Sequence, residues 1–214
     1  ITVTGTTIAG PYGPVTHLTG PGPTPPTMDG NGYWEFLGLY PGTYLVTEEN
    51  RAGWAHIEPP SGQFSVVISD NTQVTCAKFG NVPLATICGA KFYDKDLDGL
   101  WDDEEPGIGG WTILLQNNSI AWPTVWKTYA STTTASNGYY QFTNVKPNPG
   151  MYRITEVKKS PEWVMTTNPA TLMINLQKPL VPTSIPGKNI GNALLARVEG
   201  VKFWDYKTQE KWPN

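Results

Sequence analysis

Gly89-Ala90-Lys91-Phe92-Tyr93-Asp94 returns, little changed, as Gly200-Val201-Lys202-Phe203-Trp204-Asp205, 111 residues further along. The same offset carries Phe79-Gly80-Asn81-Val82 onto Ile190-Gly191-Asn192-Ala193. Two more blocks recur in the same order. Asn31-Gly32-Tyr33-Trp34-Glu35-Phe36 matches Asn137-Gly138-Tyr139-Tyr140-Gln141-Phe142, and Pro41-Gly42-Thr43-Tyr44-Leu45-Val46-Thr47-Glu48 matches Pro149-Gly150-Met151-Tyr152-Arg153-Ile154-Thr155-Glu156, at offsets of 106 and 108. A period that drifts by a few residues is that of one structural unit repeated with small loop insertions.

One copy is whole, from about residue 83 to 195. Residues 1–82 hold the later strands of a copy without its opening Gly-x-Lys-Phe-x-Asp segment, and residues 196–214 hold that segment. The pieces fit at their ends. Glu105 is followed six residues on by Trp111-Thr112-Ile113, and Glu210-Lys211-Trp212-Pro213-Asn214 could read on into Ile1-Thr2-Val3. The sequence therefore predicts an incomplete β-sandwich over 1–82, a complete one over 83–195, and over 196–214 the first-strand segment of a third repeat, a donor strand.

The local pattern is β throughout. Trp111 to Leu115, Tyr139 to Phe142, Tyr152 to Val157 and Leu172 to Leu176 are short β-rich runs, separated by Asn-Gly, Pro-Gly, Asn-Pro and Ser-Pro turns. No amphipathic helix stands out. The composition agrees: 22 Gly and 20 Pro make up close to a fifth of the 214 residues, only 15% are charged, and 9 Trp and 10 Tyr suit half-buried pleated surfaces. The fold class read from this is all-β, with tandem antiparallel sandwiches of prealbumin or immunoglobulin-like type, one complete and one split between the two chain ends.

A net charge of −3 leaves no electrostatic footprint for nucleic acid. No apolar run approaches the ~20 residues of a membrane span. The chain opens on Ile1 without Met, as a processed chain or a piece of a longer one would. His17 and His56 have no partner pattern, and no nucleophile elbow or phosphate loop occurs, so no enzyme is expected.

One motif carries chemistry. Over Asp94-Lys95-Asp96-Leu97-Asp98-Gly99-Leu100-Trp101-Asp102-Asp103-Glu104-Glu105, carboxylates fall at positions 1, 3, 5, 9 and 12 of a twelve-residue loop, with Gly at position 6. That is the ligand spacing of an EF-hand-type calcium loop: hard oxygens converge on one cation and Gly permits the sharp turn. The expected ligands are Asp94, Asp96, Asp98, the Leu100 carbonyl, Asp102 and Glu105, holding a structural calcium; a solvated acidic turn is the plainer reading of such residues. Asp205-Tyr206-Lys207-Thr208-Gln209-Glu210 has lost the pattern. Cys76 and Cys88 flank the seam between repeats and could be bridged or be two thiols. Asn117-Asn118-Ser119 is a glycosylation sequon.

The string Gly89-x-Lys91-Phe92-x-Asp94-x-Asp96-x-Asp98-Gly99, then Glu105-Pro106-Gly107-Ile108-Gly109-Gly110-Trp111, Asn137-Gly138-Tyr139-x-x-Phe142 and Pro149-Gly150-x-Tyr152, resembles the SdrD B-like repeat within the Cna-B-type, prealbumin-like β-sandwich domains. The resemblance implies a secreted cell-surface protein whose repeats act as calcium-rigidified spacers. It also implies candidates for a Lys–Asn isopeptide bond: Lys91, Asn192 and the acid Glu156, or Lys202, Asn81 and Glu48 in the composite copy. The plainer reading turns Lys91 to solvent with Phe92 in the core, and leaves Asn192 in a turn.

Function is then expected in assembly. A sandwich lacking a strand exposes unpaired backbone, which a neighbour's strand can complete. The segment carrying Val198, Gly200, Lys202, Phe203 and Trp204 would complete the next subunit's first domain, a head-to-tail homopolymer that does not close. The other reading is a slice of a long covalent array in a surface adhesin, binding a protein or glycan through Trp122, Trp126 or Pro21–Pro26.

Overall fold

The structure, a computed structural model, describes residues 1–20, 32–69, 77–118, 125–177 and 181–203. Fifteen strands and one 3-10 turn follow one another: β1 (Thr2–Thr7), β2 (Gly10–Thr16), β3 (Gly42–Thr47), β4 (Trp54–Glu58), β5 (Gln63–Ile68), β6 (Gly80–Pro83), β7 (Ala85–Tyr93), β8 (Thr112–Asn118), β9 (Trp126–Thr133), β10 (Tyr139–Val145), β11 (Met151–Glu156), β12 (Trp163–Met165), the turn Pro169–Leu172, β13 (Met173–Asn175), β14 (Thr183–Ile185) and β15 (Ile190–Leu194). The protein is all-β.

The strands from β7 onward form two sheets. One has the order β13-β11-β8-β9, antiparallel throughout. The other has the order β10-β7-β15-β12, and β14 also pairs with β7. Strand β7 is the spine of this second sheet. It pairs antiparallel with β10 and parallel with both β14 and β15.

Alternation decides which side chains meet between the sheets. Ala85 and Ile87 of β7, Ile113 and Leu115 of β8, Tyr140 and Phe142 of β10, Tyr152 and Ile154 of β11 and Ile190 of β15 all turn inward. With Trp111, Val145, Leu172, Ile174 and Leu176 they make a core of fourteen buried residues. At about 1.5–3 kcal/mol for each large side chain taken from water, this core is the chief source of stability here.

The strands before β7 repeat half of that plan closely. The sheet β2-β1-β3-β5 has the order of β9-β8-β11-β13. The pair β4-β6 copies β12-β15 in register: Trp54, Ala55 and His56 face Pro83, Val82 and Asn81, as Trp163, Val164 and Met165 face Leu194, Ala193 and Asn192. Among the described residues nothing before Ala85 stands for β7. The counterpart of β10 is not a strand either, its Tyr33 making only an isolated bridge to Gly20. The second sheet of this unit is thus two strands, and its core has three buried residues, Val3, Tyr44 and Val46. Trp34, Phe36 and Phe79 stay partly exposed beside them.

Residues 195–203 form no strand. Val198 and Val201 are 95% and 88% exposed, and Phe203 is exposed too. Trp204 lies outside the described residues, as do Cys76, Trp122 and Pro21–Pro26; Cys88 is half-buried on β7.

Candidate functional site

The inward stripe of β7 ends on a charge. Lys91 follows Ala85, Ile87 and Gly89 on the core-facing side and is wholly buried, as is Phe92 on the opposite face. The reading that turns Lys91 to solvent so that Phe92 can fill the core is therefore corrected. Phe92 is covered from outside by Trp101, stacked at 6.0 Å, so both faces of the strand are closed.

Two other inward stripes end beside it. On β11 Glu156 follows Tyr152 and Ile154, and on β15 Asn192 follows Ile190. Asn192 is wholly buried and pairs with Met165 and Tyr93 within the sheet, so it is a strand residue and not a turn. The Lys91 Nζ lies 3.3 Å from Glu156 Oε2 and donates to the Ile190 carbonyl at 3.2 Å. The Asn192 Nδ2 donates to Glu156 Oε1 at 2.9 Å. One carboxylate from one sheet thus touches both an amine and a carboxamide from the other.

The surroundings are tightly closed. Trp111 roofs the site, its ring 4.7 Å from Lys91 Nζ. Glu156 Oε2, Asn192 Oδ1 and Trp111 Nε1 have no aligned hydrogen-bond partner although buried. Glu156 Oε2 is met by the Lys91 ammonium instead, while an unpartnered buried carboxamide oxygen or indole N–H costs about 1–3 kcal/mol. Burial lowers the Lys91 pKa to about 8, the nearby Glu156 opposing that shift. About a tenth of the amine is then neutral, hence nucleophilic, at pH 7, against well under a hundredth for an ordinary lysine. Glu156 is placed to relay a proton between amine and carboxamide.

The acidic loop lies at the exit of β7. The ligand atoms of Asp94, Asp96 and Asp98 lie within 4.8 Å of one another. Asp94 is buried and accepts from the Leu97 and Gly99 amides at 2.7 and 2.8 Å. Burial alone would raise its carboxyl, but hydrogen bonds including these hold it below the ordinary value. Gly99, sixth in the loop, has φ +79°, which a side chain would oppose. Asp102 and Glu105 stand apart from the cluster. The Glu105 oxygens accept from the Lys95 and Asp102 amides, so this side chain closes the loop on itself. The three-aspartate donor set, all hard oxygens, fits calcium chemically.

The first unit holds a second arrangement of the same kind. Asn81 Nδ2 donates to Glu48 Oε1 at 2.7 Å, matching Asn192 and Glu156. The other oxygen, which faces Lys91 in the complete unit, here meets His56 Nδ1 at 2.9 Å. His56 Nε2 reaches Asn50 Oδ1 at 2.8 Å. Asn81 is exposed where Asn192 is buried. The sequence paired Glu48 with Asn81 through the repeat; the place taken by His56 had no signal there, because its counterpart is Met165.

With this geometry in view, comparison places the complete unit. Residues 85–173 match the family model of the SdrD B-like domain. This stretch is an SdrD B-like domain. Relatives include serine-aspartate repeat-containing protein F of Staphylococcus epidermidis, 29% identical over 130 residues, covering 56% of this chain and 8% of that protein. Serine-aspartate repeat-containing protein C of Staphylococcus aureus is 30% identical over 139 residues, covering 60% of this chain and 14% of that protein. The chain thus spans about a tenth of the length of the curated relatives it matches. Among solved structures, a minor pilin of Streptococcus agalactiae, GBS52, overlaps with a TM-score of 0.35 at 12% identity, over 78% of this chain and 66% of that one. The group B streptococcus pilus 2b backbone protein overlaps with a TM-score of 0.31 at 14% identity, over 91% of this chain and 78% of that one. Within the matched stretch lie β7, β11 and the acidic loop that leaves β7, while β15, which completes the Lys91 site, follows it. The domain's spine strand organises both.

Proposed function

We propose that this protein is a non-catalytic structural segment of a secreted cell-surface stalk or filament, in which a strand passed between copies joins one molecule to the next. The observation that carries the reading is the first unit's second sheet, which stops at β6 where the complete unit continues into β7. Among the described residues no strand pairs with its β6 edge, the rings of Trp34, Phe36 and Phe79 in the same unit stay partly exposed, and unpaired backbone next to apolar surface is costly. The sequence that fills the equivalent place in the complete unit recurs at Gly200-Val201-Lys202-Phe203, exposed and outside any sheet. By the register of β7 with β15, the donated Lys202 would lie opposite Phe79 and Phe203 opposite Gly80. Donor and acceptor differ, so the contact repeats without closing and yields a filament.

Two devices would make such a segment stiff. Calcium held by Asp94, Asp96 and Asp98, with the Leu100 carbonyl in reach of the same loop, would supply charge neutralisation and pin the loop leaving β7. A bond between Lys91 and Asn192, with Glu156 as proton relay, would tie the spine strand to its parallel neighbour and release one ammonia. Both are tensile supports of the kind a stalk needs.

Deleting residues 196–214 tests the assembly. Light scattering on the full chain should show concentration-dependent growth, and the shortened chain should stay monomeric with its central unit folded. If the full chain is monomeric at every concentration, the first unit takes its strand from another stretch of a longer protein and head-to-tail assembly is wrong.

A further inference from the structure

The first unit carries the Glu48–Asn81 half of a reactive site, and the chain carries the missing lysine on an exposed segment. We propose that strand donation ends in a covalent bond: Lys202 of one copy condenses with Asn81 of the next, with Glu48 as the proton relay. This rests on the strand-donation reading above and adds to it a chemical step between molecules.

The two sites correspond atom by atom. Glu156 Oε1 takes the Asn192 amide hydrogen, and Glu48 Oε1 takes that of Asn81. Glu156 Oε2 faces Lys91 Nζ at 3.3 Å, and Glu48 Oε2 faces His56 Nδ1 at 2.9 Å. His56 therefore occupies the place beside the carboxylate that Lys91 takes in the complete unit, until a lysine arrives. Its counterpart Met165 makes room for Lys91 by carrying no charge. Strand register supplies the lysine. In the complete unit Ile190 pairs with Lys91 and Asn192 with Tyr93; the 111-residue offset carries this to Phe79 beside Lys202 and Asn81 beside Trp204. A donated strand held by that register brings the Lys202 amine to Glu48 and Asn81 and closes the site to water, as β7 does for Lys91.

The step balances without any further reactant. The neutral Lys202 Nζ attacks Asn81 Cγ, forming a C–N bond. Glu48 takes the proton from the amine and passes one to the carboxamide nitrogen. The old C–N bond breaks and ammonia leaves, so one amide is exchanged for another with no oxidation or reduction. The exposure of Asn81 keeps the site idle before docking, because water competes for its hydrogen bond to Glu48.

The test uses the full chain, incubated at high concentration and read twice: native light scattering for assembly, and a reducing, denaturing gel for covalent ladders. The wild type should give both. Lys202→Arg, Asn81→Ala and Glu48→Gln should each keep growing in native scattering and lose the ladder. Mixing Lys202→Arg with Asn81→Ala should restore covalent product and stop it at dimers, since only one of the two possible joints is competent. A synthetic peptide of residues 196–208, added to the Lys202→Arg chain, should join it with loss of one ammonia, the new bond mapping to Asn81 by peptide mass spectrometry. Native growth in the wild type with no ladder, or a ladder that persists in Asn81→Ala, overturns the covalent joint while leaving strand donation standing. Absence of native growth in the wild type overturns both.

Discussion

Burying an ammonium on the core-facing stripe of β7 has a cost that depends on pH. Lys91 has a pKa of about 8 when folded and about 10.5 when unfolded, so between these values the unfolded chain binds more protons and stability rises with pH. The rise amounts to about 3 kcal/mol across that window, and below pH 8 the full penalty stands. An Asn192→Ala chain, in which no bond can form, should show this rise by urea unfolding at pH 7.5, 9 and 10.5. The wild type, once linked through Lys91, should show none of it, because its amine no longer titrates. Its intact mass should fall short by one ammonia, and Glu156→Gln should restore the missing mass. Linking Lys91 to Asn192 closes a loop of about 100 residues, worth roughly 5 kcal/mol by chain entropy, so the linked form should also unfold well above Glu156→Gln. The three residues were visible in the sequence only through a family resemblance. Hydropathy alone sends a lysine outward, and what overrides it is the parity of Ala85, Ile87, Gly89 and Lys91, fixed by neighbours that must face the core.

At the scale of elements, the acidic loop and the strands it joins behave as one unit. The Gly99 turn, the amides gathered by Asp94 and the Glu105 closure hold the loop in shape, and the ligand oxygens of three aspartates still converge within 4.8 Å of one another. Calcium should therefore raise the unfolding temperature of the central unit, by a free energy of about 2.7 kcal/mol at a hundredfold excess over its dissociation constant. A chelator should reverse this, and Asp98→Asn should lose most of the response; a chelator-insensitive transition in the wild type would leave the loop a solvated turn. Strands such as β8, β10 and β11 were legible because aromatic and β-branched residues alternate between clear turns. Strand β14, three residues between Pro182 and Pro186, was not. The Asn31–Phe36 block teaches the opposite lesson. It matches Asn137–Phe142 residue for residue in pattern, yet among the described residues only Tyr139–Phe142 lies in a strand, because β10 has β7 to pair with and Tyr33 has only its bridge to Gly20.

Over the whole molecule, the same sequence pattern is built once to completion and once short of a spine, and the difference should be measurable as two unfolding events. The central unit has fourteen buried core residues and the first unit three, so calorimetry on the Lys202→Arg chain, dilute enough to be monomeric, should resolve a small early transition and a larger late one. The early one belongs to the strands β1–β6. Adding the 196–208 peptide should move it upward and leave the late transition in place, because the peptide completes a sheet only in the first unit. For a unit of about 80 residues each kcal/mol gained displaces the midpoint by roughly 4–8 °C, so even modest docking is visible. Scrambling the peptide, or replacing its Phe203 by Asp so that a charge enters the apolar side of the joint, should abolish the shift. Should the peptide raise both transitions equally, it binds without completing the sheet, and the open edge beside β6 is not where the molecule receives its partner.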